Sequence, residues 1–250
     1  MAHEALPSRP SEPAAAPGGG PADDARAAQF LATEHWSLLA TRSLSWSESF
    51  SRAGMFLSTL SAATVALALV GPATSFGPEF AIFALVILSV TLFLGVATFV
   101  RLTQVNNEDV YWVAGMNRLR AEYVRLAPGI ERSFVAGWTL DSAGISRTFG
   151  ASDVISGPAP LHMLVTTPAV VGVIASAIAG VMGGLVAFQV SGGMAPALGI
   201  GVIVFVASVL LCLLYGIREG RNHIRRLYAV VGEPGPSEAA DGHVGGAGRP

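Results

Sequence analysis

The stretch FAIFALVILSVTLFLGVATFV, residues 80–100, decides the fold. Its 21 residues carry no charge, and 14 of them are Leu, Ile, Val or Phe. On membrane-insertion scales those side chains alone favour the bilayer by roughly 4 to 8 kcal/mol. At the rise of an α-helix the stretch spans about 30 Å, the thickness of the hydrocarbon core. A helix on the surface of a soluble domain has a polar face, and this one has none.

Three more stretches of this kind flank it, at residues 53–73, 169–190 and 195–217. None of the four contains Asp, Glu, Arg or His. The first two are joined through Gly71, Pro72 and Glu79, and the last two through Ser191, Gly192, Gly193 and Met194. Connections this short force antiparallel neighbours. The predicted fold is therefore all-α: a polytopic membrane protein with four transmembrane helices as two hairpins, residues 46–100 and 169–217.

The charges orient it. All 15 basic residues are arginines, and none lies in either short turn. They precede the first span, separate the second from the third, and follow the fourth. Arginine bias between short loops places the arginine side in the cytoplasm, so both termini and the central loop are expected there. Charged residues make up 13% of the chain, against about 25% in soluble domains. The net charge of -2 supplies no field for nucleic acid, which is not an expected partner.

Residues 1–25 and 233–250 are rich in Pro, Gly and Ala and read as disordered tails. The first of these has no apolar core of a signal peptide, so the first span is expected to serve as the insertion signal. Residues 26–45 read as an amphipathic cytoplasmic helix, with Phe30, Leu31, Leu38 and Leu39 near helical spacing. Ser45 and Glu48 then match a capping box, which predicts a fresh helix start near Trp46. Trp46 and Phe50 are placed at headgroup level.

Residues 101–168 form a cytoplasmic helical loop. Val105, Trp112, Val113, Met116, Tyr123 and Leu126 make an apolar stripe, so the second membrane helix should continue to Ala127, where Pro128-Gly129 ends it. A short helix near residues 130–136, a further turn at 141–150 and a linker at 156–160 are expected to follow. Residues 218–232 read as a basic juxtamembrane helix. Arg101, Arg218, Arg221, Arg225 and Arg226 are the predicted membrane-interface arginines, contacting anionic headgroups. A sharper reading adds Arg118, Arg120 and Arg125 and makes the layer an anion or nucleotide pocket under the bundle.

One pattern inside the membrane stands out. The third span has four glycines and five alanines, and only 10 of its 22 residues are Leu, Ile, Val or Phe. Gly172, Ser176, Gly180 and Gly184 recur at four-residue steps. Small residues at that spacing let helix backbones approach closely in lipid. They form the candidate helix-packing seam, within one chain or between subunits. The hydroxyls of Ser58, Thr59, Ser61, Thr64, Ser89, Thr91 and Thr98 either line a polar path or bond their own helices.

Catalytic signatures do not emerge. The single cysteine, Cys212, excludes an intramolecular disulfide, and no histidine pair has ligand spacing. Asn106, Asn107, Glu108 and Asp109 offer oxygen ligands, but consecutive helix residues diverge, and the run reads as a solvated face. Pumps and proton-coupled transporters keep ionisable groups at membrane depth, and these spans have none. No enzyme activity, cofactor or metal is expected.

Residues 33–43 (TEHWSLLATRS) with Phe50 to Phe56, and Gly115 to Ala121 with Tyr123 and Ala127-Pro128, resemble a family of uncharacterised bacterial four-helix integral membrane proteins. The likeness covers most of residues 30–230. It implies a multi-pass protein of the plasma (inner) membrane and brings no activity with it. A looser, architectural likeness is to SLATT-type membrane effectors, which have two membrane helices, flanking cytoplasmic helices and a pore-forming role. The expected function is a non-enzymatic membrane interaction or sensory scaffold, with an oligomeric pore or effector channel as the alternative. The expected partners are the lipid bilayer, a second copy of the chain and a cytoplasmic protein.

Overall fold

Helix α1, Pro21–Ala73, begins where Gly20 leaves extended backbone and Pro21 enters at the first helical position. Proline is pre-set for that position, and Asp23 and Asp24 suit the positive helix end. The helix then runs unbroken for 53 residues, about 80 Å. This corrects the expected break near Trp46. Ser45 Oγ donates to the carbonyl of Thr41 at 3.0 Å, so the hydroxyl serves its own helix and caps nothing. Neither Gly nor Pro occurs between Ala25 and Arg52, so nothing stops propagation.

The computed structural model describes residues 20–149 and 166–231. Of the two expected disordered tails, residues 1–19 and 233–250 lie outside the described residues, as does the linker at 156–160, whereas Pro21 to Ala25, expected in the first tail, are the opening turn of α1. Every regular element among the described residues is helical.

At its far end α1 turns through Ser75 and Phe76, both in left-handed backbone. The Phe76 amide donates back to Gly71 O at 2.9 Å, and the Phe76 ring covers Gly71 so closely that a methyl there would strike it. Pro78 starts α2, Pro78–Leu126, which continues well past the apolar stretch. Ala127 ends it before Pro128, with Gly129 left-handed at φ 97°. A 3-10 turn, Ile130–Ser133, and a short helix α3, Ser142–Thr148, follow. Helix α4 is Thr167–Ser191, ended by left-handed Gly192, and α5 is Met194–Val231.

Four of these helices, α1, α2, α4 and α5, are long and apolar enough to cross a membrane. Contacts set their directions. Arg42 meets Asp109, Glu48 meets Arg101, and Phe56 meets the backbone at Gly95, so α1 and α2 run oppositely. Gly184 meets Ala197, Gly180 meets Gly201, and Gly172 meets Cys212, so α4 and α5 do the same.

Helix α2 is central. It packs against α1 on one side and α4 on the other, with α5 reaching it at the arginine end through Tyr215 and His223. Ala53, Phe56, Leu88, Phe99, Leu102, Val171 and Ile178 form the shared core. Gly95 lets the three helices converge, since a Cβ there would lie 2.8 Å from the Phe56 ring and 3.1 Å from Ala175. The outward apolar side chains, among them Ile82, Val86, Val90 and Phe93 on α2 and Val202, Val206 and Leu210 on α5, stay exposed in the bare protein. In water that surface would be costly, and in lipid it is solvated.

Candidate functional site: the arginine-side layer

Past the apolar span, α1 and α2 continue together, and here the polar chemistry collects. The inward face of α2 runs through Leu102, Val105, Asp109, Val113 and Met116, all buried. Asp109 sits on this stripe, not on a solvated face, which corrects the reading of the Asn106–Asp109 run. Its carboxylate is clamped by Arg42 of α1, with Nε 2.6 Å from Oδ1 and Nη2 3.0 Å from Oδ2. A planar guanidinium matched two-pronged to a carboxylate is the strong form of ion pair. The rest of the run splits: Asn106 is exposed, Asn107 is half-buried, and Glu108 pairs with Arg101 at 3.2 Å.

Arg101 was expected to reach for headgroups. It instead bridges two acids, Glu108 on its own helix and Glu48 on α1 at 3.3 Å. Glu48 also takes Arg52 at 2.8 Å. Hydrogen bonds from Arg101 and then Arg52 hold the Glu48 carboxyl below its usual range, and the Glu48 hydrogen bond raises Arg101 in turn.

Asn117, fully buried, organises the next layer. Its Nδ2 donates to Thr139 O at 2.9 Å, and its Oδ1 accepts from Arg120 Nη1 at 2.8 Å and Thr148 Oγ1 at 2.9 Å. One amide thus ties α2 to the connecting loop and to α3. Asp141 starts α3, accepting from Gly144 N and from Thr139 Oγ1. Gly137 and Gly144 touch backbone to backbone, with no room for a Cβ at either. Burial, with Arg42 nearby, lowers the pKa of Arg120. His35 of α1 stacks on Tyr123 of α2 at 6.0 Å, and burial followed by the Arg120 charge pushes its imidazole down.

The predicted stripe on the first helix is split. Leu31 and Leu38 are partly buried, whereas Phe30 and Leu39 are exposed, as are Trp36 and Leu44. The turn near 130–136 is shorter than expected, the 3-10 turn above, and the one near 141–150 is α3.

The arginines do not converge on one pocket. Arg118 points outward, Arg125 pairs with Glu122 at 2.6 Å, and Arg120 is committed to Asn117 and Gly137 O. Arg218, Arg221 and Arg225 are exposed along α5, and the Arg226 side chain lies outside those described.

The small-residue ladder lies inside the chain. A Cβ at Gly180 would stand 2.9 Å from Gly201 O and from Phe205 Cβ, and one at Gly184 would stand 3.1 Å from Ala197 O. A Cβ at Gly172 would stand 3.0 Å from the Phe99 ring of α2, and Ser176, buried, donates to Gly172 O at 2.8 Å. The hydroxyls of Thr59, Ser61, Thr64, Ser89 and Thr91 bond carbonyls one turn back in their own helices.

Sequence reasoning missed Arg42, Asp109 and Asn117. The signal was there for Asp109, which keeps step with Val105 and Val113 at four-residue spacing. A carboxylate on an apolar stripe demands a cationic partner. Arg42 gives no such sign, because only packing selects it among the arginines.

No family model, no curated protein and no solved structure matches this chain.

Proposed function

We propose that this chain is a non-enzymatic interaction scaffold of the bacterial plasma membrane, with its arginine side in the cytoplasm and working through that side. The supporting observation is the layer built there. Two membrane helices are prolonged into a rigid extension, locked by Arg42–Asp109, and a loop with its own short helix is pinned on it by Asn117. At the opposite end, by contrast, the connections are a few residues long. Along the extension of α1, Phe30, Trp36 and Leu44 are each about 70% exposed, and the two aromatics are of the anchor type favoured at partner surfaces.

A photo-crosslinking residue at Trp36 tests the reading in living cells, with one at Ser191 as control. A discrete adduct to a cytoplasmic protein is expected only at Trp36, and it should vanish in Phe30→Ser/Leu44→Ser. No adduct at Trp36, or the same adducts at both sites, would sink the scaffold.

The pore reading loses the seam that motivated it. Gly172, Gly180 and Gly184 are spent on contacts within one chain, and an oligomer would have to use another face.

A further inference from the structure

Where α2, α4 and α5 meet at the arginine end of the apolar span, they leave a cavity of about 340 Å3. That is the size of a small-ligand site. Its two ends differ in chemistry. The membrane-side wall is apolar, formed by Phe99, Val173, Val209 and Leu213 with Gly172 and Cys212. The other end carries Thr103, Asn106, Asn107 and Arg221, with the first turn of α4 at Pro168 and Ala169. No acid lines it.

One polar group lining this end is unfinished, and a second lies beyond the lining. Asn107 Nδ2 is buried with no hydrogen-bond partner among the described residues. One helical turn further from the membrane, His223 packs edge-on to Tyr111 at 4.6 Å, and its Nε2 is buried with no hydrogen-bond partner among the described residues. Buried donors left unpaired cost stability unless a ligand or water satisfies them.

We propose that this cavity binds one anionic phospholipid. Its phosphate lies at the Arg221 end and one acyl chain lies along the Phe99–Leu213 wall. The charge argument excludes a neutral occupant as the best fit. Arg221 is cationic, the start of α4 presents the positive end of a helix dipole, and the amide of Asn107 offers a donor. The apolar wall excludes a bare phosphate as the best fit, since a small anion would leave most of the cavity empty. The inference rests on the cavity and does not need the scaffold reading.

Native mass spectrometry of the full chain in mild detergent tests it, after incubation with phosphatidylglycerol, phosphatidylcholine or inorganic phosphate. The wild type should retain one phosphatidylglycerol in preference to phosphatidylcholine. Arg221→Gln removes an exposed side chain and should lower phosphatidylglycerol retention about fivefold, leaving phosphatidylcholine unchanged. Gly216 lines the cavity, and a Cβ there meets nothing within 4 Å. Gly216→Leu should therefore fill the space, keep the helical spectrum and abolish retention. Equal retention of the two lipids by the wild type, or of phosphatidylglycerol by wild type and both variants, would overturn the proposal. So would stoichiometric binding of inorganic phosphate that Gly216→Leu leaves intact, which would assign the site to a soluble anion.

Discussion

Arg42 and Asp109, 67 residues apart in the chain, form a two-pronged ion pair at 2.6 and 3.0 Å across the α1–α2 contact. The aspartate side chain is 4% exposed and the arginine 26%. Removing one partner of a buried pair strands the other charge, at a cost of roughly 3–5 kcal/mol. Arg42→Ala should fall near the lower end, because Arg42 keeps some water. The double variant Arg42→Met/Asp109→Leu should recover most of the loss, since no charge is left stranded. Denaturant melts of wild type and the two variants in detergent check this, and a double variant as unstable as the single would refute it.

The α4–α5 seam makes a paired prediction. Gly180→Leu drives a side chain into Gly201 O and Phe205, whereas at Gly199 a Cβ meets nothing within 4 Å. Gly180→Leu should lower the thermal midpoint markedly, and Gly199→Leu should leave it within a degree or two of wild type. The mass of the particle in detergent should be the same for wild type and Gly199→Leu. Equal stability of the two variants would show that the seam is not where the helices touch.

Asn117→Leu should release the loop from α2. Three hydrogen bonds are lost and Thr139 O loses a donor, with a buried unpaired group costing about 1–3 kcal/mol. Faster hydrogen exchange over residues 137–148 and quicker tryptic cleavage after Arg147 are expected, with the membrane helices unaffected. Unchanged exchange there would count against Asn117 as the tie.

His35 predicts a pH effect of definite sign. Burial and then Arg120 lower its pKa below the ordinary imidazole value of 6.5 in the fold. The unfolded chain therefore binds a proton more readily, and the contact with Tyr123 loses stability as pH falls below that value. Glu48, also depressed, starts from 4.5 and so acts in a lower window. Stability measured from pH 7.5 to 5.5 should decline in wild type and stay flatter in His35→Phe. An identical slope in both would remove His35 from the account.

Orientation is open to direct measurement in a Cys212→Ala background. Ser133 and Ser191 are both exposed. A membrane-impermeant maleimide should label Ser191→Cys in intact spheroplasts and Ser133→Cys only in inverted vesicles. The reverse pattern would turn the scaffold to the other side.

The apolar spans, their four-fold count and the end of α2 at Pro128 were legible in the sequence, because lipid solvation and proline sterics act locally on the residues themselves. Arginine placement gives an expected orientation, which the labelling experiment tests. The capping-box reading of Ser45 and Glu48 failed because a local motif leaves its outcome to tertiary context. Glu48 had a better use, with Arg101 and Arg52, than a helix start. Only the folded chain decided which face of the α4 ladder is filled, and by Gly201 rather than by another subunit. Only the fold selected Arg42 for Asp109 and drew Thr139 and Thr148 to Asn117. These pairings join residues far apart in sequence, and their energies come from burial that exists only once the helices pack.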